Sequence, residues 1–268
     1  MALYLVHLVQ CGKSQNVITN FFYAISHFHD VFGVTNPCKS AFLKHILEGS
    51  CRSAPSGTSR SRAPIKSSDL KLLVDKFGGP QASLLDLRDV TMCLLAFSSF
   101  LRFDEVISLK WSHIEFHDCF FSLFIPRSKT DQRAQGKTVV VAKSDKCTCP
   151  YGMLSRFKSL SNADQDDFIF TKMQFFKSKG LYQRRAGQPI SQTRCRESIL
   201  AKLKVVGVDT SSINLHSFRI GGASAACNNN VSDKLIQKHG RWASEKSKDL
   251  YCRFNLKNQL QVTLNIDL

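Results

Sequence analysis

Long apolar runs are missing from this sequence. No stretch approaches the ~20 residues that a helix needs to cross a bilayer, so a helical membrane span is excluded. The opening MALYLVHLVQCG is apolar, but it lacks a basic start and is interrupted by His7 and Gln10, which makes it an amphipathic helix rather than a secretion signal. A cysteine framework is missing too. The ten cysteines are scattered, and several, such as Cys93 in VTMCLLAF, sit in apolar runs where a thiol behaves as a small hydrophobe. They read as reduced thiols of an intracellular protein, nuclear if the host is eukaryotic. Cys147-Thr148-Cys149 has no second ligand pair nearby, so no metal site is expected. Acidic residues are scarce: 21 Asp+Glu face 37 Lys+Arg, a formal net charge of +16. That imbalance says little about fold and points to a polyanionic partner. Taken alone it fits a ribosomal, membrane-surface or RNA-binding protein equally well.

What is present is a chain of 268 residues, 43% hydrophobic, enough for one large domain or two modest ones with an ample core. Residues 1–51 read as three helices: ALYLVHLVQ, then NVITNFFYAISHFHDVFG, then CKSAFLKHILEG after a VTNP turn. In the second, Ile18, Phe21, Phe22, Ile25, Phe28 and Phe32 fall at helical spacing and are expected to form core. Residues 52–65 hold RSAPSGTSRSRAP, rich in Ser, Pro and Gly with Arg52, Arg60 and Arg62 and no carboxylate. This is a flexible basic linker, and as a strap it suits a phosphate backbone. From Lys66 to Leu268 a second domain begins with SSDLKLLVDKFG, capped by Ser67 and ended by Gly78. A long apolar helix, SLLDLRDVTMCLLAFSSF, leads into LRFDEVISLKW. Three strand-like runs follow, HIEF, CFFSLFIP and TVVVA, the last two joined by a loop containing SKTDQRAQGK. Residues 161–190 are poorly periodic, and Ser191 caps a further helix. The fold class is mainly α with a small antiparallel β-sheet.

The chemistry concentrates between Leu215 and Tyr251, in LHSFRIGGASAACNNNVSDKLIQKHGRWASEKSKDLY. His216 and Arg219 stand three apart, sharing one helix face, and Gly221, Gly222 and Ala223 let that helix lie close to a neighbour. H-x-x-R, a His-or-Trp position at Trp242, and Tyr251 nine residues later resemble the C-terminal signature of the tyrosine recombinases, the integrase family of site-specific DNA strand-exchange enzymes. The wording is most similar to recombinases of eukaryotic mobile elements.

The resemblance implies a role for each residue. Arg102 and Arg219 would neutralise the non-bridging oxygens of a scissile phosphate, since guanidiniums stay charged and bind in a fork. Glu105, three residues after Arg102, would hold that guanidinium; the same pair would also serve as an ordinary i, i+3 ion pair. Lys129, in P-R-S-K-T-D, would protonate the departing 5′ oxygen, with Lys137 and Lys143 as competitors. His216 would act as base or bond a phosphate oxygen. Trp242 would buttress the phosphate, His239 being the weaker fit to the spacing. Tyr251, a phenol of ordinary pKa near 10, would attack phosphorus once cations lower that barrier. Lys66 and Arg241 join Arg52, Arg60 and Arg62 as candidate contacts to double-stranded DNA.

The catalytic resemblance covers residues 66–255. Residues 1–51 resemble the later helices of the family's N-terminal core-binding domain, which implies that its first helix is missing here. The implied reaction proceeds through a 3′-phosphotyrosyl intermediate with no cofactor and no metal, in a homo-tetramer on paired sites. The tail CRFNLKNQLQVTLNIDL, apolar along Leu256, Leu260 and Val262 or Leu264, would pass to a neighbouring subunit or fold back on its own domain. Two rivals share the sequence features: a DNA-binding module that has lost strand exchange, and a relaxing enzyme similar to type IB topoisomerases.

Overall fold

Helical spacing in the first fifty residues becomes α1 (Ala2–Gln10), α2 (Gln15–Val31) and α3 (Ala41–Ser53). In the computed structural model, which describes residues 1–55, 62–128 and 135–265, these helices close around Leu5, Leu8, Ile18, Phe22, Cys38 and Leu43. Asn36 organises the turn between α2 and α3. Its Nδ2 donates to Ser26 O at 3.0 Å and Asp30 Oδ1 at 3.1 Å, and its Oδ1 accepts from Cys38 N at 2.9 Å. The aromatic stripe is core only in its first half. Ile18 and Phe22 are buried, Phe21 and Ile25 pack at the edge, and Phe28 and Phe32 are 63% and 65% exposed. The physical reason is length: α2 has seventeen residues against nine in α1 and thirteen in α3, so its partners run out before the stripe does.

The chain divides into two units, Met1–Arg60 and Ser61–Leu268. The proposed linker is shorter and less free than its composition suggested. Helix α3 runs through Arg52 and Ser53. At the other end Ala63 N donates to Ser212 O and Ile65 N to Ser217 O, each at 3.1 Å, and Ile65 is 1% exposed. Residues 63–65 are therefore strapped to the second unit, because Ile65 buries an apolar side chain there.

The second unit continues through α4 (Ser67–Phe77), α5 (Leu84–Ser98), α6 (Phe103–Ile107), β1 (Ile114–Phe116), β2 (Phe120–Ile125), β3 (Lys137–Ala142), α7 (Pro150–Ser161), β4 (Thr171–Phe176), β5 (Leu181–Pro189), α8 (Gln192–Val205), α9 (Ser217–Asn228), α10 (Asp233–Gly240), α11 (Glu245–Asp249) and α12 (Leu256–Leu264). The cap of α4 is Lys66 rather than Ser67: Lys66 N donates to Asp69 Oδ2 at 2.9 Å, so a carboxylate one turn in takes up the backbone N–H of the cap residue. Ser191 caps α8 as anticipated, accepting from Arg194 N.

Helix α5 is the axis of this unit, buried from Leu87 through Ala96. Two charged residues lie inside it. Arg88 pairs with Asp89 at 2.7 Å, and Lys202 of α8 reaches Asp89 at 2.8 Å. Arg88 Nη1 also donates to Thr171 O at 3.0 Å, so one satisfied network ties α5 to α8 and to the start of β4. Strands β1, β2 and β3 form an antiparallel sheet, with Ile114 opposite Leu123 and Leu123 opposite Val139. Alternate residues Phe121, Leu123, Ile125, Val139 and Val141 face the core. A second hairpin, β4–β5, occupies the region that looked aperiodic. No residue of β5 is buried, so its sequence carries no alternation of apolar and polar side chains.

Helix α9 crosses α5 at close range. A Cβ at Gly221 would strike Ile65 O, and one at Gly222 would strike Phe97 O. Backbone atoms cannot step aside as a side-chain tip can. Gly222→Ala is expected to destabilise the protein by about 1–3 kcal/mol, read as a lowered urea midpoint with unchanged slope.

Candidate active site

Five of the six residues singled out for chemistry meet at one place. Arg102 is the N-cap of α6, where the chain leaves the packed end of α5. His216 is the N-cap of α9 and Arg219 lies in its first turn. Trp242 follows the left-handed corner that ends α10, and Tyr251 follows α11. The Arg219 guanidinium carbon stands 4.8 Å from the Trp242 ring centre and 5.0 Å from that of Tyr251. Tyr251 in turn lies 4.9 Å from Trp242 and 5.2 Å from His216, centre to centre. The sixth, Lys129, falls outside the described residues. Of its competitors, Lys137 opens β3, next to that loop, while Lys143 lies past the far end of the strand with its ammonium over the Tyr151 ring.

Phe100 and Gly240 hold the centre through their backbones. Phe100 has φ +47, a left-handed turn that aims its carbonyl at two arginines. Arg219 Nη1 and Arg241 Nη2 both donate to Phe100 O, and Arg219 Nη2 donates to Gly240 O at 2.8 Å. Nothing in SSFLRF announced that role, since a backbone acceptor leaves no signature in residue type.

Glu105 is buried, and its carboxylate is fully engaged. Oε1 accepts from Arg102 Nη1 at 3.1 Å, and Oε2 accepts from Arg102 N at 2.9 Å and Arg241 Nη2 at 2.8 Å. This corrects the reading of Arg241 as a DNA contact. Its side chain is 4% exposed, because its guanidinium is drawn inward to Glu105 and to the Ser99 and Phe100 carbonyls. Arg52 and Lys66 are exposed, and Arg60 lies outside the described residues. Arg62 lines an open cleft of about 830 Å³ with Arg102, Asp104, Arg196, His216 and Tyr251.

The cluster carries more positive charge than it compensates. Arg102 and Arg241 share Glu105, while Arg219, fully buried, has no carboxylate within salt-bridge distance among the described residues. Burial, and then the charges of Arg102 and Arg241, push the Arg219 guanidinium down to about 10. Within the cluster the buried donors Arg219 Nε, Arg241 Nε and Trp242 Nε1 lack a hydrogen-bond partner among the described residues. An anion bound beside Arg219 would relieve the excess charge.

His216 is pushed down to about 4, first by burial and then by Arg62, Arg219 and Arg102, so it is a neutral imidazole near pH 7. Its folded value lies below the ordinary 6.5. The unfolded chain therefore takes up this proton first, and the stability is present above pH 6.5 and lost as pH falls toward 4. His216→Gln is expected to flatten that part of the stability profile by on the order of 1 kcal/mol after allowance for solvent screening, read from urea midpoints across the window. His239 is also held down by burial, but its Nε2 bonds Ser98 O at 2.8 Å and its ring packs on Phe100. The position over the tyrosine belongs to Trp242.

Cys227 of α9 and Cys252, directly after Tyr251, form a disulfide with Cα atoms 6.4 Å apart. That corrects the reading of all ten cysteines as thiols: a separation of 25 residues matched no framework, and only the packing of α9 against the Tyr251 segment joins them. Ser224 Oγ donates to Tyr251 O at 3.1 Å beside it. Helix α12 then leaves with Leu256, Leu260 and Leu264 exposed at 69%, 47% and 77%.

The chain and its fold are similar to those of known proteins. The profile of the Phage integrase family matches residues 66–257. An integrase/recombinase described as a xerD homolog, from Selenomonas ruminantium, is 22% identical over 243 residues, covering 88% of this chain and 67% of its own. The fold is similar to that of the XerH site-specific recombinase in a post-cleavage complex with a palindromic difH substrate, at TM-score 0.66 and 13% identity over 100% of this chain and 71% of that one. It is also similar to the Tn1549 transposon integrase in complex with circular intermediate DNA, at TM-score 0.60 and 12% identity over 98% and 83%. With a profile match across most of its length and the arginines, histidine, tryptophan and tyrosine gathered as described, the chain belongs to the phage integrase family, the tyrosine-type DNA strand transferases.

Proposed function

We propose that this protein breaks and rejoins double-stranded DNA at a defined site, with Tyr251 as nucleophile. The observation that carries the reading is the uncompensated charge beside the phenol. Arg102 and Arg241 share the buried Glu105 carboxylate, Arg219 stacks on Tyr251 with no carboxylate of its own among the described residues, and Arg102 and Tyr251 line an open cleft. A phosphodiester supplies one negative charge and two non-bridging oxygens, and those oxygens gain charge as a fifth oxygen bonds to phosphorus. Arg102 and Arg219 serve them. The bond from Tyr251 Oη to phosphorus forms as the bond to the 5′ oxygen breaks. The phenolic proton passes to neutral His216, and the departing 5′ oxygen takes a proton from Lys129, an assignment that rests on the resemblance alone. A 5′ hydroxyl from a partner duplex reverses the step.

The formal charge of +16 supports binding to duplex DNA chiefly through phosphates, weakening steeply with salt. The exposed apolar edge of α12 supports exchange of the tail between subunits and assembly on paired sites. The proposal is tested by incubating the protein with a nicked-site oligonucleotide, denaturing, and mapping the linked peptide. An adduct at Tyr251 is the expected result. DNA binding with no adduct on any cleavable substrate would leave a binding module, and relaxation of plasmid without a defined site would favour a topoisomerase.

A further inference from the structure

Arg241 is unexplained by the reaction just described. It is a non-glycine residue at φ +59, ψ 32, a left-handed conformation that is unfavourable for an ordinary side chain. It is also a third arginine in a cluster where each new positive charge repels the others. A surface arginine would be tolerated there for no reason, but this one is drawn inside and every bond it makes leads to the site. Nη2 holds Glu105 Oε2 at 2.8 Å, and the same carboxylate holds Arg102 through Oε1 and through the Arg102 backbone. Nη2 also bonds Phe100 O at 3.3 Å, the carbonyl that accepts from Arg219. Nη1 bonds Ser99 O at 3.2 Å and His239 O at 3.4 Å. The neighbours of Arg241 in sequence complete the picture: Gly240 O accepts from Arg219, and Trp242 roofs Tyr251.

We propose that Arg241 is the positioning residue of this site, setting Arg102 through Glu105 and Arg219 through the Phe100 carbonyl while bracing the corner that carries Trp242. The proposal rests on the strand-transfer reading for its effect on rate, and on geometry alone for its effect on the guanidiniums. Both Nη atoms of Arg241 are taken up by Glu105 and by backbone carbonyls. Its loss therefore displaces the groups that meet the phosphate without removing a contact to it. The fork divides the work: Nη2 serves Glu105 Oε2 and the Phe100 carbonyl while Nη1 serves the Ser99 carbonyl, and a lysine has one nitrogen in place of the two.

Arg241→Gly is the first variant, since glycine accepts the left-handed corner while the side chain and its guanidinium are removed. Arg241→Lys keeps the charge. Adduct formation in a single turnover at saturating DNA should fall about 10–100-fold in both, the scale expected of a small misplacement of reacting groups, with the DNA dissociation constant within about threefold of wild type. In a Glu105→Gln background the further loss on adding Arg241→Gly should be much smaller, because the principal route runs through that carboxylate. A second readout needs no activity. His216 is held low first by burial and then by Arg62, Arg219 and Arg102, and is pulled up by Glu105, so displacement of Arg102 and Arg219 registers there. In DNA-free Arg241→Gly the imidazole titration followed by NMR should move upward toward 6.5.

An unmoved His216 titration together with a wild-type adduct rate overturns the proposal. So does a loss of DNA affinity that accounts for the whole loss of rate, which would make Arg241 a contact to DNA. A wild-type protein that forms no adduct at all defeats the strand-transfer reading, and in that case a shifted His216 titration still supports the positioning role.

Discussion

Tyr251→Phe should form no denaturant-resistant adduct with DNA and yet bind the same duplex within a few-fold of wild type. The phenol ring is fixed by its faces: Trp242 at 4.9 Å, His216 at 5.2 Å and the Arg219 guanidinium at 5.0 Å. Phenylalanine keeps each of these contacts, and the backbone bond from Ser224 Oγ to Tyr251 O does not depend on side chain. Stability should therefore change by no more than about 0.5 kcal/mol. Only the nucleophilic oxygen is lost, so the effect on covalent chemistry is total rather than graded. Gel retardation and the denaturing adduct assay, run on the same samples, separate the two properties. An adduct that persists in the variant would place the nucleophile elsewhere.

Arg219→Lys should lower the rate of adduct formation by about 10²–10³-fold, the range for removing a preorganised donor from developing charge. Lysine keeps the positive charge but not the fork, and cannot satisfy the Phe100 and Gly240 carbonyls while also facing a phosphate. The wild-type protein carries a cost at this position. A guanidinium held at about 10 instead of its ordinary 12.5, first by burial and then by Arg102 and Arg241, is a charge disfavoured in the DNA-free fold. Because the folded value is lowered, that cost is present in full at every pH near neutrality. A bound phosphodiester offsets it. Site-containing duplex should consequently raise the melting temperature of the wild type well above that of the free protein, with a smaller rise in Arg219→Met. Equal rises would show that DNA binds without engaging this cluster.

Much of the site was legible because its members are tied to local structure. His216 and Arg219 share a face through helical spacing alone, and Trp242 and Tyr251 are separated by only nine positions of chain. The β2–β3 hairpin declared itself through alternation, as did the close crossing of α9 through Gly221 and Gly222. The β4–β5 hairpin did not, since solvent-facing strands need no apolar alternation. The outer half of the α2 stripe misled for the complementary reason: periodicity tells which residues share a face and not whether a partner reaches it.

By itself, then, the order of residues determined the helices, the small antiparallel sheet, the excess of positive charge and the set of side chains with the right chemistry. Tertiary structure alone decided that Arg241 turns inward to Glu105, that the Phe100 carbonyl receives two guanidiniums, and that Cys227 meets Cys252. Each of these is a choice among partners far apart in the chain. Such choices depend on which groups burial deprives of water, and that is settled only when distant elements pack.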